Sequence, residues 1–113
     1  MSRGTKAPFK RYEGAKEKDR HVRLTKSMLD SKAFKSLKYS SMILYIYMKL
    51  WACGKIEFDY AKSLGERILS PATVTKAIRE LVDKGFIERV HFSNGGGHTP
   101  NTYKFSTNWL DYT

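Results

Sequence analysis

Apolar positions along the chain fall into blocks of different period, and each block predicts an element. His21, Val22, Arg23 and Leu24 alternate polar with apolar, which suggests a short strand or an extended entry. Thr25 offers a capping hydroxyl to a short helical region marked by Met28, Leu29, Ala33, Phe34 and Leu37. Residues 42–53 are apolar nearly all round, with Ser40 or Ser41 as N-cap and Gly54 as the stop. A helix apolar on every face must be covered on every face, so it belongs either at the centre of the core or in a subunit interface. Residues 55–58 alternate and are long enough for one short strand. Asp59 stands where it can cap a helix holding Tyr60, Ala61, Leu64 and Ile68.

The sharpest boundary comes next. Ser70 sits at the N-cap and Pro71 at the first helical position, where its missing N–H costs nothing, and the helix runs to a stop at Gly85. Val74, Ile78, Leu81 and Val82 share one face of it, while Ala72, Thr73, Thr75, Lys76, Arg79, Glu80 and Asp83 occupy the other. Residues 86–92 are strong β-formers, residues 93–101 form a glycine-rich loop, and residues 102–106 alternate again, so the three read as a β-hairpin with a long tip. Trp109, Leu110 and Tyr112 are expected to pack back onto the body. The predicted class is mainly α with a small β-hairpin, an α+β fold.

Length and composition narrow this picture. The 113 residues suit one domain, and 41% hydrophobic residues supply a core. Residues 1–20 stand apart. Seven basic residues, among them Lys10 and Arg11, face three acids there, with few large apolar side chains and no period. They are read as a flexible basic arm, with the folded domain at 21–113. The net charge is +10, and much of the excess lies outside the arm, so the folded part is basic in its own right. Such a balance favours polyanionic partners, nucleic acid before acidic membrane. The longest apolar stretch is interrupted by Lys49 and falls well short of the about 20 residues of a bilayer span. No membrane partner is expected, the N-terminus has no signal-peptide pattern, and a cytoplasmic location follows. The lone Cys53 excludes an internal disulfide; at the end of an apolar helix it is expected to be buried and inert.

Two surfaces carry candidate chemistry. A capped helix fits the major groove of B-DNA, and Ser70, Thr73, Thr75, Lys76 and Arg79 are the side chains to contact phosphates and base edges. Glu80 and Asp83 would lie where the helix leaves the groove. The hairpin is the second surface: Arg89, His91, Asn94, His98, Asn101 and Lys104 line it with donors, and three glycines let its tip approach a phosphate backbone. Lys10 and Arg11 add phosphate contacts from the arm. Homodimerisation is expected, because helix 42–53 has more apolar surface than one small domain readily covers.

A helix, a turn, a second helix with a polar outer face and a hairpin directly after Lys84, Gly85, Phe86 and Ile87 is the order of a winged helix-turn-helix. The carrying stretches are Ser70 to Ile78, Leu81 to Ile87, and Asn101 to Ser106 followed by Trp109. On these, residues 21 to 109 resemble the winged-helix domains of phage, plasmid and conjugative-element proteins of Gram-positive bacteria. The linker Glu66, Arg67, Ile68, Leu69 is longer than a tight helix-turn-helix turn, which shifts weight towards the hairpin. The resemblance implies a sequence-specific binder of double-stranded DNA in a mobile element, acting in transfer, replication or transcription control, with a relaxase or replication protein as a further partner.

Enzyme motifs are missing from the sequence. The Gly95, Gly96, Gly97 run lacks the Lys-Ser/Thr of a P-loop, and the tyrosines lack the His-hydrophobic-His companion of a nicking enzyme. His91 and His98 have no second cysteine or nearby carboxylate to complete a metal site, so no cofactor is expected. Two rivals stand beside the DNA reading. One is a protein-interaction winged helix, such as a phage-encoded inhibitor of a host nucleic-acid enzyme; the other is an RNA-binding basic protein.

Overall fold

The computed structural model describes residues 22–91 and 101–112. In chain order these form α1 (Lys26–Leu29), α2 (Lys32–Lys35), α3 (Tyr39–Ala52), β1 (Glu57–Tyr60), α4 (Lys62–Gly65), α5 (Pro71–Asp83), β2 (Ile87–His91) and β3 (Asn101–Phe105), closed by a 3-10 turn at Asn108–Asp111. The result is a small α+β protein in which helices pack on one three-stranded antiparallel sheet of order β1-β3-β2.

Local chemistry explains most boundaries. Residues 22–25 are irregular rather than a strand. The helical region after them is two single turns, because two hydroxyls compete for it. Thr25 Oγ1 accepts from the Met28 N–H, and Ser31 Oγ accepts from the Phe34 N–H, restarting the helix. α3 begins earlier than expected, and neither Ser40 nor Ser41 caps it: Lys38 holds the N-cap position without a side-chain cap bond. Its end is set by two consecutive left-handed residues, Cys53 (φ 52°) and Gly54 (φ 86°). Cys53 is exposed, because this turn carries it off the helix rather than into the core.

The stretch from 55 to 69 departs most from expectation. β1 lies two residues later than predicted, with Phe58 and Tyr60 buried and Glu57 and Asp59 outward. Asp59 is therefore no helix cap. Its carboxylate accepts from Thr102 Oγ1 at 2.7 Å and its carbonyl from Trp51 Nε1 at 2.7 Å. Tyr60 lies in the strand, so the following helix shrinks to α4. The linker to α5 is a hydrogen-bonded turn rather than a loose spacer, since the N–H groups of Ile68 and Leu69 both reach the Gly65 carbonyl at 3.0 Å. Gly65 is buried between α3 and α5; a Cβ there would lie 3.0 Å from Val74 Cγ1 and 3.4 Å from Leu44 Cδ1. Glycine allows this close approach.

α5 runs as read from the sequence, with Ser70 capping the Thr73 N–H and Pro71 at its start. Its buried face is Val74, Ala77, Ile78 and Leu81; the helix packs on α3 and β2, and this face shares one buried core with Leu44, Met48, Phe86, Ile87 and Tyr103. β2 and β3 pair from Ile87↔Phe105 to His91↔Thr102, with a bulge between Arg89 and His91. Phe58 stacks on Phe105 at 4.6 Å across β1 and β3. The chain end closes the core through Trp109, parallel to Phe86 at 6.0 Å, whereas Leu110 points to solvent. Among the described residues, no helix is long and apolar enough to cross a membrane.

Candidate nucleic-acid interface

The polar face of α5 borders a cleft of about 540 Å³ against the start of α3. Thr73, Lys76 and Arg79 from α5 meet Lys38 and Ser40 there. Lys76 and Arg79 are exposed and have no ion-pair partner among the described residues. Lys38 and Ser40 were not legible as part of this surface, because only tertiary packing brings them beside α5.

Charge on α5 is sorted by the fold. Glu80, expected on the outer face, turns into the cleft floor with its side chain 18% exposed. One carboxylate oxygen accepts from the Lys38 N–H at 3.1 Å and from Ser41 Oγ at 2.5 Å; the other accepts from Lys84 Nζ at 3.0 Å. Burial pushes the Glu80 pKa up, but the bonds from Ser41, Lys38 and Lys84 outweigh it and hold it below the ordinary value. Lys84 also donates to the Ser36 carbonyl and hydroxyl, so neither residue of the pair adds to the outer field. Asp83 remains exposed at the helix end.

The hydroxyls at the helix start already have partners. Ser70 Oγ and Thr73 Oγ1 lie 2.7 Å apart, and Thr75 Oγ1 donates to the Pro71 carbonyl at 3.2 Å. Each retains a lone pair for a further donor, but their orientation is fixed by the helix.

The hairpin residues divide. Arg89 and His91 are exposed on β2. Lys104 lies on the outer sheet face in register with Glu57 and Glu88, 3.8 Å from the Glu88 carboxylate. It stands among acids, apart from the α5 cations. Asn101 is half-buried and its Nδ2 reaches Tyr103 Oη at 3.4 Å. Lys10, Arg11, Asn94 and His98 lie outside the described residues, as do the arm and the hairpin tip.

No known family model, curated protein or solved structure matches the chain.

Proposed function

We propose that the chain is a non-enzymatic, sequence-specific binder of double-stranded DNA. In this reading it is a winged helix-turn-helix, with α5 in the major groove and the β2–β3 hairpin as the wing. The order α3, β1, α4, α5, β2, β3 and the pairing of β1 with β3 support that architecture. One observation carries the functional reading. Glu80 is withdrawn into its bonds with Ser41, Lys38 and Lys84, which leaves Lys76 and Arg79 as the exposed charges at the middle of α5. A bidentate guanidinium and an ammonium three residues back, just under one turn away, suit a guanine edge and an adjacent phosphate.

Ser70, Thr73 and Thr75 contribute backbone contacts at the helix start. Arg89, His91, Asn94, His98, Asn101 and Lys104 from the wing, and Lys10 and Arg11 from the arm, belong to the proposal by sequence position and donor chemistry. A mobile-element setting, with a relaxase or replication protein as partner, rests on the resemblance alone. A homodimer completes the reading, with the outer stripe of α3 meeting a second copy.

The test is selection from a random duplex pool followed by a salt titration of the winner. A discrete complex is expected, with log affinity falling by roughly 0.9 per log salt for each phosphate neutralised. The absence of any discrete complex with duplex, from a folded protein, would overturn DNA binding in favour of a protein-interaction role.

A further inference from the structure

A second cationic site lies away from α5. Arg23, Lys49 and Lys55 line a pocket of about 380 Å³ with Gly54, Ile56 and Phe105, at the C-terminal end of α3 where the chain turns into β1. No residue of α5 or β2 contributes to it, and no carboxylate is among its lining residues. None of the three cations has an ion-pair partner among the described residues.

Lys49 is the unusual member. Its ammonium is held over the Phe105 ring at 4.7 Å and the Tyr45 ring at 5.4 Å, so the side chain folds inward rather than reaching into solvent. Burial lowers its pKa, a sign of incomplete compensation of the charge. Like charges lining one partly desolvated pocket repel one another, and a bound oxyanion converts that repulsion into attraction. Two ammonium groups and a guanidinium match the several oxygens of a phosphate.

From this geometry we propose that the pocket binds a phosphate group. Lys49 is the fixed inner contact, and Lys55 and Arg23 are the outer ones. The site does not depend on the reading of α5, and the group it takes is carried either by free phosphate compounds or by a nucleic-acid backbone.

Amide resonances of Gly54, Lys55 and Ile56 in the full chain report on the pocket. Inorganic phosphate is titrated at constant ionic strength, with chloride as the control anion. Saturable shifts with phosphate and none with chloride are expected, with affinity weakened roughly tenfold or more in Lys49→Gln and in Lys55→Gln. Lys55 is exposed, so its variant keeps the fold even if the Lys49 variant does not. Equal shifts with both anions, or unchanged affinity in Lys55→Gln, would overturn the site.

A short duplex is the second probe. Pocket shifts with duplex as well as phosphate assign the site to a backbone phosphodiester, and shifts with phosphate alone assign it to free phosphate compounds. Duplex-induced shifts at Lys76 and Arg79 with a pocket silent to both probes refute the pocket and leave the α5 reading intact. A responsive pocket with α5 silent does the reverse.

Discussion

The Ser41 hydroxyl donates to the Glu80 carboxylate at 2.5 Å, joining the first turn of α3 to the far end of α5. The same oxygen takes the Lys38 N–H. In a capping box the glutamate sits three residues into its own helix. Here another helix supplies it, so α3 is capped only when α5 is docked, and the bond that finishes the core also clears a negative charge from the proposed DNA face. Glu80→Ala strands a buried hydroxyl and a backbone donor and is expected to cost about 1–3 kcal/mol. Urea unfolding should show a lower midpoint with an unchanged slope. Glu80→Gln, which keeps an acceptor, should lose less.

The same carboxylate makes stability depend on acid. Its folded-state pKa is below the ordinary 4.5, so its contribution is complete above that value and disappears as pH falls through the lowered one. At the alkaline end, burial pushes Tyr45 up to about 12. Tyr60 also reaches about 12, chiefly through burial, with Tyr47 adding and Arg67 opposing. Both hydroxyls stay protonated in the native state after an unfolded chain would have ionised, so stability falls as pH rises from 10 towards 12. Unfolding midpoints across pH should decline at both ends, and Glu80→Gln should flatten the acid side alone. An acid side unchanged in that variant would remove Glu80 as its source.

Gly85 joins two roles at one residue. Its φ of +86° ends α5, and its Cβ position lies 2.6 Å from Trp109 N and 2.7 Å from Asn108 C, both backbone atoms that cannot swing aside. Its carbonyl accepts the Trp109 N–H at 3.1 Å. Gly85→Ala should cost about 1–2 kcal/mol for the left-handed backbone alone, and more for the clash. Trp109 fluorescence should shift as its stacking on Phe86 loosens, and a variant as stable as the parent would refute the close approach.

How far the sequence could be read follows from which forces are local. α5 was readable to the residue because Ser70, Pro71 and Gly85 act within one turn of the helix ends. The hairpin was readable from the β-formers of 86–92 and the alternation of 102–106, whereas the pairing of β1 with β3 was not. The region around β1 was not: Asp59 looks like a cap, but Phe58 gains more from burial against Tyr103 and Phe105, and Tyr60 from burial beside Trp51 and Phe58, than a capped helix would return. The start of α3 was missed for the same reason, since its cap comes from 39 residues away. Within the candidate site, Lys76 and Arg79 could be named from helical period. The role of Glu80, the inclusion of Lys38 and the isolation of Lys104 depend on tertiary neighbours.

The placement of Lys76 and Arg79 separates two kinds of contact. Arg79→Ala should cost about 1–3 kcal/mol on a selected duplex and relax preference at one base pair. Lys76→Ala, if it meets a phosphate, should weaken selected and random duplexes alike and reduce the salt slope by about 1. Fluorescence anisotropy on both duplexes at several salt concentrations distinguishes them. Equal losses on both duplexes for both variants would refute a base contact at Arg79.

The proposed dimer rests on a stripe along α3. Tyr39, Ile43, Tyr47 and Trp51, four residues apart, are 81%, 43%, 45% and 49% exposed, and none of them is charged. An aromatic side chain buries about 150–250 Å² when covered. With about two-fifths or more of each side chain free, the stripe offers on the order of 400 Å² per copy, about 800 Å² in all, below the about 1,200 Å² at the lower end of stable interfaces. The like net charge of two copies weakens the contact further. Free protein should therefore be largely monomeric at low concentration and dimerise weakly as concentration rises, with pairing completed on DNA that carries two half-sites. Sedimentation velocity across a concentration series should show that drift, and Ile43→Ser with Tyr47→Ser should abolish it while leaving the unfolding midpoint nearly unchanged. Trp51 is the wrong residue to alter, because its indole N–H holds the Asp59 carbonyl and its ring meets Tyr60 edge-on at 6.4 Å. A sedimentation coefficient independent of concentration, together with single-copy binding to a two-half-site duplex, would rule the dimer out.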